Sequence, residues 1–207
     1  MARKRAWMLS GVLGLTCLAA GCRNTQKNAI EAAINAAQTA INTVQTEAVK
    51  YVPEQLASAQ TALQSARDAL AKEDYQGALN AAQDAANKAK ELAAATAARK
   101  EEWTKTWSRL NESMPRSMNE VKRRLDAYSH GARLPSGMDK DMLEAAKPQY
   151  EQLKQVWADA TADATRGNLR DAIKKATGMQ DALAKLMEIV GMKVVKVAPE
   201  SGPGTQR

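Results

Sequence analysis

The sequence predicts an all-α fold of long antiparallel helical hairpins, packed in coiled-coil fashion along alanine-rich seams. Three observations carry that expectation: an apolar content built on alanine, sustained heptad spacing, and two segments that align without gaps. Hydrophobic residues make up 44% of the 207-residue chain, yet aromatics reach only 4% and Phe is absent. Alanine is the best helix former because it loses no side-chain entropy on ordering. It also buries little area, at about 25 cal/mol per Å². Closely packed helices with a thin core follow.

The first hairpin region is expected over residues 28–113. Ile30, Ile34, Ala37, Ile41, Val44, Ala48 and Tyr51 recur at alternating spacings of four and three, the seam of an amphipathic helix. Pro53 interrupts it, since proline lacks an N–H and suits only a first helical turn. A second helix begins there and carries Leu56, Ala59, Leu63, Ala66 and Leu70. The chain turns at KEDYQGAL, with Asp74 as N-cap. A third helix presents Tyr75, Ala78, Ala82, Ala85, Ala89 and Leu92, and continues through Trp103, Trp107 and Leu110.

Residues 114–138 read as a connecting helix and loop. Met114, Met118, Val121, Leu125 and Tyr128 form a short seam ended by Gly131, and Gly, Pro and Ser punctuate HGARLPSGMDKD. A second helical hairpin is expected over 139–192. Gly167 suits a left-handed position after a helix, and Asn168 suits an N-cap. The tail 193–207 has no periodicity and is expected to be disordered.

A shift of 94 residues places Leu56 on Tyr150, Leu63 on Trp157, Ala66 on Ala160, Asp74 on Asn168, Ala82 on Ala176 and Leu92 on Leu186. Seam and turn positions coincide, which points to a duplicated hairpin. Two unrelated alanine-rich hairpins would also share much of the seam.

The first 21 residues have the organisation of a secretory signal: a basic head, MARKRAW, then the apolar run MLSGVLGLTCLAA, too short for a comfortable membrane span. Ala19, Ala20 and Gly21 lead into Cys22. This junction resembles the lipobox of bacterial lipoproteins, with Ala19 where Leu is commonest. The resemblance implies a diacylglycerol thioether on the Cys22 sulfur and an acyl group on its freed amine. Residues 22–27 would then be the lipidated N-terminus and a short tether. Ordinary cleavage after Gly21, leaving a free thiol, is the alternative. No second mature Cys exists to pair with it, since Cys17 lies within the signal. Arg23 after the Cys resembles lipoproteins sent to the outer membrane, facing the periplasm.

Catalysis is not expected. His130 is the single histidine and adjoins Gly131, where it is solvated or caps a helix end; one His and one acylated Cys cannot build an N/S zinc site. Phosphate-binding glycine loops and a nucleophile elbow are missing. The chain thus predicts no enzyme, metal or cofactor beyond the covalent lipid. Removing Arg3, Lys4 and Arg5 from the net charge of +7 leaves +4, and nine basic against five acidic residues in 98–133 account for it. That footprint is too short for a nucleic-acid binder. Within it lies the candidate interaction surface: Trp103, Trp107, Arg109, Arg116, Lys122, Arg123 and Arg124. Aromatic and Arg residues anchor interfaces. The alternative puts both tryptophans on the packing seam and links Arg116, Glu120 and Arg124 as i,i+4 surface pairs.

The pattern YVPEQLASAQTALQSARDAL followed by EDYQGALNAAQDAANKAKEL resembles alanine-rich bacterial envelope lipoproteins whose helical domain has no assigned activity. RLPSGMDKDMLEAAKPQYEQLKQVWADATADATRGNLRDAI and IVGM are similar to the second half of such proteins. The resemblance implies location and fold, not chemistry. The expectation is a lipid-anchored spacer or scaffold for an unidentified envelope protein or cell-wall partner. A binding module for anionic cell-wall polymer or lipid headgroups, built on 99–124, is the alternative, and self-association through the seams is a third reading. Arg207 is not the terminal lysine through which the major wall-linked lipoprotein is joined, so covalent attachment to the wall is not expected.

Overall fold

A computed structural model describes residues 16–192, with side chains described from Thr25 onward. The described residues form helices only: α1 Thr16–Tyr51, α2 Pro53–Ala71, α3 Tyr75–Ser129, α4 Lys140–Thr165, α5 Leu169–Gly178 and α6 Gln180–Ile189. Most of the signal segment and the tail 193–207 lie outside the described residues. The chain divides into two compact units, Met1–Lys100 and Glu101–Arg207.

In the first unit, three helical stripes meet. Ile30, Ile34, Ala37, Ile41 and Ala48 of α1 pack with Leu56, Ala59, Leu63 and Ala66 of α2 and with Ala78, Ala82, Ala85, Ala89 and Leu92 of α3. The first two helices join without a loop. Val52 leaves helical geometry at φ −144°, buries its side chain, and hands over to Pro53 at the first position of α2. Glu47 of α1 pairs with Lys100 of α3, which holds that ammonium above its ordinary pKa.

The turn after α2 is a Schellman motif. Asp74 N–H donates to the Ala69 carbonyl (3.0 Å) and Glu73 N–H to that of Leu70 (3.0 Å), with Glu73 left-handed at φ 58°. Asp74 caps the next helix as expected, its Oδ1 accepting from Gly77 N–H at 2.9 Å. A Cβ on Gly77 would collide with that carboxylate, so glycine preserves the cap.

In the second unit, Leu110, Met114, Met118, Val121 and Leu125 of α3 pack against Leu143, Ala146, Tyr150 and Leu153 of α4. Ala176 of α5 and Leu183 and Leu186 of α6 close this core. Asp139 caps α4, accepting from Met142 N–H at 2.8 Å. Gly131, Gly167 and Gly191 all take positive φ just past a helix end, as the sequence predicts for Gly167, and α3 ends by Gly131 as expected.

The structure corrects or refines several of these expectations. Residues 114–129 are not a separate connecting helix: α3 runs unbroken through Pro115, and Met114–Leu125 form one wall of a core. Proline removes one hydrogen bond, a loss that tertiary packing on both sides of Pro115 offsets. The units therefore divide after Lys100, not at 113. Pro148 lies inside α4, which starts after the Asp139 cap. The backbone of residues 22–27, expected as a short tether, belongs to α1. Finally, Asn168 stands at the N-cap position of α5 without a side-chain capping bond, its backbone at φ −90°, ψ 61°.

Candidate functional site

The sequence singles out a lipidation point and a basic, tryptophan-bearing stretch. Cys22 falls within the helical backbone of α1, and its side chain is outside those described.

The basic stretch occupies the second part of α3. Trp103 and Trp107 extend the seam of Leu110, Met114 and Met118 and are half-buried, and Trp107 packs against the second core. Trp107 stacks on Trp157 of α4, ring centroids 5.5 Å apart and planes 17° from parallel. Such a pair is worth about 0.5–1.5 kcal/mol beyond its buried area.

Arg109, Arg116 and Arg123 recur every seven residues and are exposed. At 3.6 residues per turn they share the face opposite the seam. Arg116 pairs with Glu112 at 2.8 Å, and Arg123 pairs with Glu120. Lys122 pairs with Asp126 at 2.6 Å, a hydrogen bond that raises the lysine pKa. The expected chain from Arg116 through Glu120 to Arg124 is therefore not formed as drawn. Arg116 turns back to Glu112, and Glu120 takes Arg123 and Arg124.

Arg124 departs from the others. Its guanidinium lies 3.4 Å from Glu120 and donates to the Val190 carbonyl at 3.5 Å. Tyr128 O–H donates to the same carbonyl at 3.1 Å. Together they satisfy the C-terminal end of α6, where a cation also complements the helix dipole. Arg124 thus closes the second core and is not part of the outward arginine row. His130 caps in the same manner, donating from Nδ1 to the Asp126 carbonyl at 2.7 Å.

One cluster escapes the sequence reading. Asp163 sits on the buried side of α4 at 6% exposure. It accepts from Lys175 (2.5 Å) and Arg166 (2.6 Å). The hydrogen bond from Lys175, and then that from Arg166, hold its carboxyl below the usual carboxylate range; Lys175 is correspondingly raised. An aspartate on an apolar stripe with a basic residue three positions later is the signal that could have found it.

Two clefts indent the units. One of about 440 Å³ lies between α1 and α2, lined by Lys27, Glu31, Ile34, Arg67, Leu70 and Ala71 among others. The other, about 290 Å³, lies between α3 and α4 at Lys122, Asp126, Lys147, Pro148 and Tyr150. Burial raises the Tyr150 phenol above its ordinary pKa. Among the described residues no group of three His, Cys, Asp or Glu side chains could hold a metal ion. No described helix is long and apolar enough to cross a membrane. Comparison with family models, curated proteins and solved structures finds no match for the chain.

Proposed function

We propose that this chain is a non-catalytic lipoprotein of the bacterial cell envelope. Acyl chains on Cys22 anchor it at the outer membrane, and its helical units serve as a spacer or protein-interaction scaffold in the periplasm. The observation that carries the reading is the basic head, apolar run and small-residue approach to Cys22. The helical architecture supports it, because a helix rises about 1.5 Å per residue and gives reach for few residues. More than one acyl chain gives stable anchoring, whereas a single chain binds reversibly. We read the two hairpins as copies of one element, since their turns and buried positions coincide at the 94-residue shift.

The test is intact-mass analysis of the exported protein together with flotation on vesicles. Cys22 should carry diacylglycerol and an amide-linked acyl chain, and Cys22→Ser should leave the protein soluble. An unmodified thiol would end the reading.

The outward row Arg109, Arg116 and Arg123 favours a second reading, a surface for anionic cell-wall polymer or lipid headgroups. A non-lipidated chain should then co-sediment with anionic vesicles or purified cell wall at low salt and release as salt rises. Arg116→Glu with Arg123→Glu should abolish that binding. Arg124 is excluded from the test because its loss would unfasten α6.

A further inference from the structure

We propose that the end of the first unit carrying the α2–α3 turn, Lys72–Asp74, faces phospholipid headgroups at close range, held there by a helical stalk. The proposal rests on the reading that Cys22 bears the acyl anchor. Helix α1 is continuous from Thr16 through Cys22 to Tyr51, so no loop separates the acylation point from Ile30, the first buried side chain among those described. Eight residues of helix set the two about 12 Å apart along the axis. Thr25, Gln26, Lys27, Asn28 and Ala29 are all exposed, and the Lys27–Glu31 pair at 3.9 Å spans this segment at i,i+4.

The cleft lined by Lys27, Glu31 and Ile34 of α1 and by Arg67, Leu70 and Ala71 of α2 brings the start of the first helix beside the end of the second. The turn that follows α2 is therefore at the anchored end of the unit. The corner at Tyr51–Pro53 is at the other end, since α1 covers about 40 Å between Cys22 and Val49.

The helix stands on its tip because it has nothing to gain by lying down. An interfacial helix needs an outward apolar face. The apolar stripe of α1 is already buried in the unit, and its outward residues between Glu31 and Val44 are small or polar: Ala32, Asn35, Ala36, Thr39, Asn42 and Thr43; Val49, exposed, stands alone near the far end. At the anchored end, cations Lys27, Arg67 and Lys72 alternate with Glu31, Asp68, Glu73 and Asp74. The approach to the headgroups is thus set by the stalk and not by net charge.

The test uses the full lipidated chain carrying Lys72→Cys or Val49→Cys, each labelled with a fluorophore. Both positions are exposed, and acylated Cys22 offers no competing thiol. The proteins are placed in phosphatidylethanolamine–phosphatidylglycerol vesicles containing a headgroup nitroxide quencher. Label at 72 should be quenched several-fold more than label at 49. A Gly-Ser repeat inserted between Asn24 and Thr25 should remove the difference while the protein still floats with the vesicles. Equal quenching at both positions, or none at either, in protein that floats would overturn the proposal and leave the acyl anchor standing. A difference that survives the insertion would show that the stalk does not set the distance, and would also overturn it. Failure to float would defeat the anchor itself.

Discussion

Two hairpins of this chain, α2 with the start of α3 and α4 with α5–α6, share one register and fill it differently. Shifted by 94 residues, Ala71 falls on Thr165 and Tyr75 on Leu169, so the helix ends coincide. Buried positions coincide too: Ala66 and Ala160, Ala78 and Ala172, Ala82 and Ala176, and Leu92 and Leu186 are each at most 1% exposed. The fillings diverge elsewhere. Alanine supplies nine of the sixteen buried residues of the first core but two of the fifteen in the second, where Met179 and Leu183 stand for Ala85 and Ala89. The first helix is unbroken at Ala85, whereas the second breaks at Met179, just after Gly178. Turns at equivalent positions can therefore carry a thin seam or a thick one. The difference lies in how much apolar volume each helix contributes, at about 0.8 kcal/mol per buried CH₂.

The largest expected effect tests that contrast at its one shared leucine. Leu92→Ala and Leu186→Ala each remove a fully buried side chain, a change that costs about 2–5 kcal/mol. Leu92→Ala should cost more. Its core is mostly alanine, which has little side chain to move into a gap, whereas the core of Leu186 includes Met114, Met118, Met138 and Met179, whose flexible side chains adapt to one. Of the four tryptophans, Trp7 lies in the signal segment and Trp103, Trp107 and Trp157 belong to the second unit, so in protein that starts at Cys22 tryptophan fluorescence follows the second unit's unfolding, while far-ultraviolet dichroism follows both. Urea titration by the two probes gives each cost separately. Equal losses would mean that both cores relax alike. The next effect is overpacking: Ala82→Leu should wedge the first seam apart at about 1–3 kcal/mol, moving the dichroism transition and leaving fluorescence in place.

The helices were legible because heptad spacing survives with alanine in it: Ile30 to Ala48, Leu56 to Ala66 and Ala78 to Leu92 were each read onto the face they occupy. Helix caps were legible where the residue type dictates the geometry, as at Asp74, Gly131 and Gly167. Asn168 failed that rule because its backbone takes the cap position without aiming its amide at a free N–H. The continuity of α3 was not legible. Residues 114–138 read as a separate connecting segment, whereas α3 runs on through Pro115 with Met114 and Met118 buried in the second core. Within the candidate surface, the sequence alone separated neither Arg124 from Arg123 nor Trp107 from an exposed anchor. Those distinctions depend on Val190 and Trp157, which lie 66 and 50 residues away.

A smaller effect distinguishes the two turns. Each is a Schellman motif, with Asp74 N–H reaching Ala69 and Asn168 N–H reaching Asp163. The left-handed residue is glycine in the second (φ 79°) and Glu73 in the first (φ 58°). A side chain there costs about 1–2 kcal/mol. Glycine returns about half of that gain through the freedom it has in the unfolded chain. Glu73→Gly should therefore stabilise the first unit by under about 1 kcal/mol, and Gly167→Ala should destabilise the second by a similar amount. Thermal melts by dichroism and by fluorescence resolve the pair. A loss of stability in Glu73→Gly would show that the glutamate makes a contact worth more than its strain.

The smallest effect concerns a charge that only one hairpin possesses, because Ala69 occupies the position equivalent to Asp163. The carboxylate lies beneath Lys175 and Arg166, both of which reach solvent, so water screens much of its attraction. Its folded pKa is lowered, which means the stabilisation is complete above the unfolded value near pH 4 and disappears as pH falls through the folded value. Lys175 is raised, so its share is complete below the ordinary lysine value and is lost as pH rises through the folded one. The stability difference between the parent chain and Asp163→Asn should accordingly form a plateau across neutral pH. It should shrink at both extremes when followed by tryptophan fluorescence. Ala69→Asp in the first hairpin should confer no such plateau, since Lys72 matches Arg166 but Ala81 stands where Lys175 would be. An acidic limb appearing in that variant would mean that Lys72 alone can hold the carboxylate, and that the second hairpin's lysine is dispensable.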